Sequence, residues 1–521
     1  MNRYSKKNLS HKVKNKKGKA LASQPQTVDE LFIAGSQEEE YGDRWLSSDL
    51  SKALRFYQRA FNYYKSGLNL QSDHLDIRYN CSRLLFNVYT EYIKNESVYF
   101  SELTNCDESL SGNDDAVIQP LANIVKFFQI SCDVIGRFSW DLYYNCALCY
   151  FEYLEELTKE SDGFSTHTEE VFSLLSQTKV LLQQVLEYQV NDLNSFVKEC
   201  KSFEQDTNTS AYTKVNPQET EKQDDVYANT QETVLPSTIC DTCLNCYRLI
   251  TTFYEACSAP DQYNLVEENT SNFLNSVDEI STFLIENFHP SSTDMIPSLD
   301  DESIDGLKVA KLGLLASQCT DFDSLKSVWL SDGISSVESL LAEASSYRTL
   351  LDKFDVTENM IMGTTRWNVL SLMTKKYKEA FDIIKHEYDS LKDPRSHNSD
   401  KKTILISQLC SILIERADID LERSQMDIEV AVKSVTVLKT NHKNFLKSCL
   451  VFSKQSGGLR ESISDKLTRR KKQKEALIRL CLVEGKRSTA ELDQIVGQDY
   501  WPQELKEISD LGVYNQFIID I

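Results

Sequence analysis

Three short stretches of the chain share one pattern: an aspartate, any three residues, and then an Asn-Cys pair. Each stretch lies in a segment whose apolar residues recur every three or four positions, as in an amphipathic helix. Aspartate is a favoured helix N-cap, so we expect each repeated aspartate to begin a helix. Repetition of one helical unit predicts an all-α repeat fold. The copies read Asp76-Ile-Arg-Tyr-Asn80-Cys81, Asp141-Leu-Tyr-Tyr-Asn145-Cys146 and Asp241-Thr-Cys-Leu-Asn245-Cys246.

The scarcity of turn-forming residues favours the same fold class. Only 16 glycines and 9 prolines occur in 521 residues, too few for the many β-turns of a large all-β protein. Hydrophobic residues make up 41% of the chain, enough for a sizeable core. No run of about 18 apolar residues occurs, so we expect no membrane-spanning helix. The charged N-terminus is not followed by an apolar stretch, so we expect no signal peptide.

Further helices are predicted around these copies. The segment 49–68 has small and aromatic residues on one face, and we expect Gly67 to end it. The residues of that face are Ala53, Tyr57, Ala60 and Tyr64. A weaker fourth copy begins at Thr364, four residues before Asn368, with a partner helix at 375–391. The other predicted helical segments are 169–197, 262–287, 403–422, 428–452, 465–482 and 489–508.

This arrangement resembles the tetratricopeptide repeat (TPR) family, which is built from two-helix units. Its first-helix pattern is matched by Tyr79-Asn80-Cys81-Ser82 and Tyr144-Asn145-Cys146-Ala147, and its second-helix pattern by Ala53 and Ala60. The copies are 65, 100 and 123 residues apart, instead of about 34 as in the family. The resemblance implies a degenerate right-handed superhelix of antiparallel helix pairs, a TPR-like solenoid with long acidic insertions. Family members generally bind peptides or partner proteins along a concave groove.

Composition and pattern divide the chain into five predicted regions. Residues 1–27 are expected to be a disordered basic tail. Residues 28–200 form N-terminal TPR-like repeats, 201–237 an acidic polar linker or insertion, 238–456 C-terminal helical repeats, and 459–521 C-terminal helices.

Charge is unevenly distributed along these regions. Eight of the 57 basic residues precede the first acidic residue, Asp29, so the remainder carries 49 bases against 79 acids, a net charge of −30. An acidic body repels phosphate and attracts positively charged protein segments. The basic tail is either a nuclear import signal, a nucleic-acid arm or a solubilising segment. Its lysines are Lys6, Lys7, Lys12, Lys14, Lys16, Lys17 and Lys19.

Two further clusters have competing interpretations. The basic run at 469–474 is expected to be a solvated helix face, with a second import signal or phosphate contacts as alternatives. The spacing of Cys146 with Cys149, and of Cys240, Cys243 and Cys246, is that of zinc ligands. These cysteines lie within helical pattern, however, and one of each set fills the repeat position, so we expect packing residues and neither a metal nor another cofactor.

These features favour a binding protein over an enzyme. No catalytic or nucleotide-binding motif occurs. The leading hypothesis is a non-enzymatic scaffold of the nucleus and cytoplasm, an adaptor or assembly chaperone for a basic client such as a ribosomal protein or histone. Its contacts would lie on first helices, although an asparagine there can instead bond to backbone. The predicted partner-binding residues are Asn80, Arg83, Asn145 and Arg248.

Two alternatives use other parts of the chain. An RNA- or chromatin-associated factor would grip phosphates with the basic tail alone. A co-chaperone would bind the acidic C-terminus of a heat-shock chaperone through a carboxylate clamp, as one subset of the TPR family does. The lysines of that clamp have no clear counterpart in this chain.

Overall fold

A computed structural model gives the structure of the chain, and all regular structure in the part that it describes is helical. It describes residues 25–159, 168–209, 234–257, 259–289, 297–331, 333, 335–356, 363–391, 399–457, 461–498 and 500–518. These residues contain 18 α-helices and no strand, which confirms the predicted all-α class. The tail lysines and most of the predicted linker lie outside the described residues.

Short connections join most of the helices. The first nine are α1 (Val28–Leu46), α2 (Leu50–Leu70), α3 (Leu75–Tyr89), α4 (Leu121–Ile135), α5 (Trp140–Lys159), α6 (Thr168–Thr209), α7 (Pro236–Ala256), α8 (Pro260–Asn287) and α9 (Asp301–Ser317). The remaining nine are α10 (Phe322–Leu330), α11 (Val337–Val356), α12 (Gly363–Ser390), α13 (Ser399–Ser424), α14 (Glu429–Ser453), α15 (Ile463–Glu484), α16 (Thr489–Ile495), α17 (Trp501–Asp510) and α18 (Asn515–Ile518).

Local capping differs from the prediction at the repeated pattern. Helix α3 begins after His74, whose Nδ1 accepts a hydrogen bond from the Ile77 amide at 3.4 Å. Helix α7 begins at Pro236, a residue suited to the first helical turn because it has no N–H to satisfy. Asp76 therefore lies in the first turn of α3, and Asp241 lies well inside α7. Asp141 likewise lies in the first turn of α5, so the expectation that the repeated aspartates are N-caps is wrong for all three copies.

Three other helix boundaries also differ from the prediction. Helix α2 continues past Gly67, which instead lets α3 approach: a Cβ there would lie 2.6 Å from Ile77 Cδ1. The fourth copy and its predicted partner at 375–391 form the single helix α12. The predicted segment 489–508 is two helices, α16 and α17, separated at Gly497, which has a φ of +104° that suits glycine.

Most successive helices pack against each other, and alternate helices of the first half also touch. Helices α1, α3, α5, α7 and α9 form one row of such contacts, and α6 contacts α8 on the other side. Two glycines of α1 lie against two tyrosine rings of α2: Gly35 against Tyr64 and Gly42 against Tyr57. A Cβ at either glycine would clash with the tyrosine ring, so α1 lies very close to α2.

The buried residues form two large cores and one smaller one. The first extends from Leu50 to Leu314 and includes residues on both sides of 210–233. The second extends from Leu312 to Ala476, so the two large cores meet within α9. The predicted linker at 201–237 therefore does not separate them. We call residues 28–314 the first unit and residues 315–518 the second unit.

The C-terminal helices return to the N-terminal helices. The amide of Ile463 donates to the Ser47 carbonyl at 2.9 Å, and Lys471 forms an ion pair with Glu96. Lys474 lies 4.9 Å from the ring centres of both Tyr99 and Tyr500. In an open solenoid each repeat contacts only its neighbours, so α15 adds a closure that repeat patterning did not predict.

The same contacts change the interpretation of the basic run at 469–474. Arg469 donates to Glu461 and to the Ser453 carbonyl, and Lys472 pairs with Glu475. With Lys471 and Lys474 also engaged, Arg470 is the exposed basic residue of the run. A solvated helix face is therefore the wrong description, because most of these cations join helices and loops inside the protein.

Candidate partner-binding surface

The repeated asparagines of the first two copies make identical contacts. The Nδ2 atoms of Asn80 and Asn145 donate to the carbonyls of Asp76 and Asp141, each at 2.8 Å and one helical turn earlier. Asn145 is buried, and Asn80 is partly buried. Their amide donors therefore bond to the backbone of their own helix. This is the alternative to partner contact that the sequence left open.

Arg83 is committed to an internal ion pair. Its guanidinium donates to the Glu39 carboxylate of α1, and both side chains are largely buried. Tyr64 of α2 donates to the other Glu39 oxygen at 3.0 Å. Arg83 also contacts Asn80 Oδ1 at 3.2 Å. This network links α1, α2 and α3, and it leaves the Arg83 guanidinium little surface for a partner.

The third copy behaves differently from the first two. Asn245 Nδ2 donates to the Tyr144 hydroxyl at 2.9 Å and so joins α7 to α5. Arg248, one turn later, is exposed. Of the four predicted contact residues, Arg248 is thus the one with an accessible side chain on this row of helices.

Beyond Arg248, the last turns of α5 and α7 carry a group of glutamates that we call the acidic face. Glu155 on α5 lies close enough to Glu255 on α7 for its charge to raise the pKa of the Glu255 carboxyl. The group also acts on Tyr89 at the end of α3: burial and the neighbouring carboxylates raise its pKa to about 12. The members are Glu152, Glu155, Glu156 and Glu255.

Glu255 lies in a recessed part of this surface. Its side chain is exposed to solvent, yet protein atoms surround much of it. This desolvation raises the pKa of the Glu255 carboxyl, Lys353 opposes the change, and Glu155 adds to it. A recessed carboxylate with raised pKa would gain from an additional cation, because an opposite charge favours its ionised form.

Two lysines of the protein already lie at this face. Lys94 forms ion pairs with Glu152 and with Glu155, the latter at 3.7 Å. Lys353 of α11 donates to the Tyr254 carbonyl at 2.6 Å and to the Tyr263 hydroxyl at 2.5 Å. Burial lowers the pKa of Lys353 to about 8. The face therefore accommodates ammonium groups, and its chemistry suits the lysine and arginine side chains of a basic partner.

Helix geometry increases the negative potential of the acidic face. The C-terminal end of a helix carries a partial negative charge from its unpaired carbonyls, so glutamates there are electrostatically unfavourable. Glu156 lies near the end of α5, and Glu255 is the penultimate residue of α7. Residues that oppose the helix dipole in this way contribute little to stability, which favours a binding role.

The two units differ strongly in net charge. Residues 28–314 contain 48 acidic and 19 basic residues, a net charge of −29. Residues 315–518 contain 30 of each. The acidic excess noted for the whole chain therefore belongs to the unit that contains the acidic face.

The repeat cysteines lie in the first core, as the packing interpretation predicts. Cys81, Cys146, Cys243 and Cys246 are at most 1% exposed. Burial raises the pKa of the Cys81, Cys243 and Cys246 thiols, whereas a nucleophilic or metal-binding cysteine needs its thiolate. Within the described part of the chain, no three His, Cys, Asp or Glu residues are placed to hold a metal ion.

None of the helices in the described ranges is long and apolar enough to cross a bilayer.

A shallow groove of about 360 Å³ lies between α4, α5 and α6, lined in part by Lys126, Tyr150, Tyr153 and Glu170. Sequence reasoning did not single out the acidic face, although Glu-x2-Glu-Glu at the end of a first helix is a detectable signal.

Comparison with known proteins identifies relatives in two yeasts. A family model described as the YNL193W C-terminal domain matches residues 337–506, which begin with α11 and lie in the second unit. The chain is 23% identical over 527 residues to Uncharacterized protein YNL193W of Saccharomyces cerevisiae, covering 89% of this chain and 90% of that protein. It is 42% identical over 72 residues to UPF0656 protein C926.02 of Schizosaccharomyces pombe, covering 14% and 16% of the two chains.

Proposed function

We propose that this chain is a non-enzymatic helical-repeat scaffold that binds a basic partner protein, as an adaptor or assembly chaperone. The client would be a protein such as a ribosomal protein or histone, in the nucleus and cytoplasm. Basic clients of this kind bind RNA or aggregate unless their charge is masked. An acidic surface supplies that masking through long-range attraction and through ion pairs at contact.

The observation that carries this proposal is the acidic face at the ends of α5 and α7. Its glutamates come from two first helices of the repeat row, and they lie within a unit of net charge −29. Lys94 and Lys353 already place ammonium groups beside them. A lysine or arginine from a partner would meet the same carboxylates in the same setting.

We also propose that the first unit is a degenerate, TPR-like, right-handed superhelix of antiparallel helix pairs. Two features support it. Gly35 pairs with Tyr64 and Gly42 with Tyr57, so the contacts along α2 run in the reverse order to those along α1. The contacts between α1, α3, α5 and α7 would make these the first helices of successive pairs.

Charge removal at the acidic face tests the binding proposal. The triple variant Glu155→Gln, Glu156→Gln, Glu255→Gln should weaken binding of a fluorescent Lys/Arg-rich 20-residue peptide by about tenfold, since each exposed ion pair contributes about 0.5 kcal/mol. Fluorescence anisotropy at low and physiological salt measures the affinity, which should fall as salt rises.

A second triple variant provides the matched control. Glu267→Gln, Glu268→Gln and Glu279→Gln remove the same charge from exposed positions on α8. This control should change the peptide affinity by less than about twofold. Equal weakening by the two variants would contradict a defined site and leave only the overall charge of the first unit.

A further inference from the structure

Helix α14 presents an apolar row to solvent on an otherwise basic surface. Ala431, Leu438, Leu446 and Cys449 face its neighbours α13 and α15 and are buried. On the other side, the exposed fractions are 45% for Val430, 61% for Val437 and 61% for Val451. These valines are separated by seven and fourteen residues, so they follow one line along the helix.

Lysines form a second line beside the valines. Lys433, Lys447 and Lys454 each lie three residues after a position of the valine line, and residues three apart are neighbours on a helix surface. Lys433 pairs with Glu429, whereas Lys447 and Lys454 have no ion-pair partner among the residues that the structure describes. We call Val430, Val437, Val451, Lys433, Lys447 and Lys454 the valine–lysine stripe.

The stripe lies in the most basic part of the chain. Residues 429–487 contain 15 basic and 5 acidic residues, whereas the whole chain has a net charge of −22. Most cations of the neighbouring run at 469–474 are held in internal contacts, but the lysines of α14 face solvent. Exposed apolar side chains in a row, flanked by charge of one sign, are typical of an interaction site.

We propose that the valine–lysine stripe docks an acidic amphipathic helix of a partner protein. The seven-residue spacing, with Asn444 at the one polar position of the line, fits a helix, because apolar residues at heptad positions on one helix pack against the same repeat on another. The lysine line would face glutamates or aspartates that flank the apolar row of the partner. This surface is separate from the acidic face and has the opposite charge, so it would recruit a second partner and does not depend on the basic client.

The side chains of the stripe favour a protein helix over nucleic acid. Single-stranded nucleic acid is bound through aromatic stacking beside cationic side chains. The stripe has aliphatic valines between its lysines, and valine contributes nothing to phosphate contacts. A helix with leucines between glutamates matches both the apolar line and the charged line.

A designed peptide tests this proposal on the full-length protein. The probe is a fluorescent 28-residue peptide with leucine at the two core positions of each heptad and glutamate at the flanking positions. Fluorescence anisotropy should give a dissociation constant below about 100 µM at low salt. The same peptide with lysine in place of glutamate would meet the acidic face instead, so Lys447→Gln with Lys454→Gln should weaken binding of the acidic peptide only. If the dissociation constant of the acidic peptide lies above about 100 µM at low salt, the proposal is overturned.

Paired substitutions locate the binding. Val437→Glu with Val451→Glu should weaken acidic-peptide binding at least tenfold, whereas Ile130→Glu with Val180→Glu, at 51% and 52% exposed positions, should change it less than twofold. Equal loss in both pairs would overturn the proposal. Two other results would also overturn it: oligouridine binding that needs Lys447 and Lys454 but not the valines, or a dimer in sedimentation that only the Val437→Glu, Val451→Glu pair dissolves. Circular dichroism melting checks that both pairs fold.

Discussion

The two units of the molecule use charge in opposite ways. In the second unit, acidic and basic residues are equal in number, and several are joined inside the protein. Arg479 pairs with Asp418 at 3.1 Å and with Glu504 at 2.6 Å, for example. The first unit has buried pairs too, such as Arg83 with Glu39, but its 48 acids far outnumber its bases. Charged side chains therefore join elements of the second unit, and we propose that the acidic excess of the first unit serves to bind a partner.

The largest expected effect comes from breaking a charge network of the second unit. Arg479→Ala leaves the buried Glu504 and the partly buried Asp418 without their cation, which should lower the free energy of unfolding by about 3–5 kcal/mol. Urea unfolding followed by circular dichroism measures it. The control is Arg470→Ala on the same helix, where exposure limits the expected loss to about 0.5 kcal/mol. Similar losses for the two variants would contradict the structural role of the network.

In the first unit, close packing of helices is the more sensitive feature. Gly42→Ala would press a methyl group into the Tyr57 ring, so we expect a loss of about 1–3 kcal/mol in the free energy of unfolding. Gly313→Ala in α9 is the opposite control: no atom lies within 4 Å of its added Cβ. Removing that helical glycine should stabilise the protein by about 0.5–1 kcal/mol. Thermal unfolding measures the stability of both variants. Equal stability of the two variants would contradict the tight contact between α1 and α2.

A smaller effect is expected where the two units meet, at Lys353. Burial lowers the pKa of Lys353 to about 8, whereas an unfolded lysine titrates near 10.4. Between these two pKa values the unfolded chain binds more protons at Lys353, so stability gains from this residue as the pH rises from about 8 to 10.4. Below pH 8 the lysine is charged in both states, and the cost of burying it remains.

Lys353→Met isolates this contribution. Raising the pH from 7.5 to 9.5 should stabilise the wild-type protein relative to the variant, by on the order of 1 kcal/mol. Urea unfolding of both proteins at the two pH values provides the measurement. A pH response that is the same in the variant and the wild type would show that Lys353 is not desolvated at the junction.

Helices with strong periodicity were predictable from the sequence, and contacts between distant helices were not. The segments 262–287, 403–422 and 428–452 agree closely with α8, α13 and α14, because each buries one regular apolar stripe. The docking of α15 on the loop around Tyr99 joins residues separated by about 370 positions, and nothing in the local pattern of either segment indicates it.

The candidate site was predictable only in outline. The repeat correctly drew attention to α3, α5 and α7, but the highlighted polar residues serve the fold at Asn80, Arg83 and Asn145. Helical patterning cannot separate an arginine that meets a buried carboxylate from one that faces solvent, as Arg248 does. The carboxylates of Glu155 and Glu255 come together only when α5 and α7 are packed.

Hydrogen exchange of the full-length protein with and without the Lys/Arg-rich peptide shows whether the peptide binds at the acidic face. We expect slower exchange at the ends of α5 and α7, in the segments 148–159 and 248–257, with α8 and α14 unchanged. This protection should disappear in the variant Glu155→Gln, Glu156→Gln, Glu255→Gln. Protection concentrated on α8, or spread evenly over the first unit, would contradict a binding site at the acidic face.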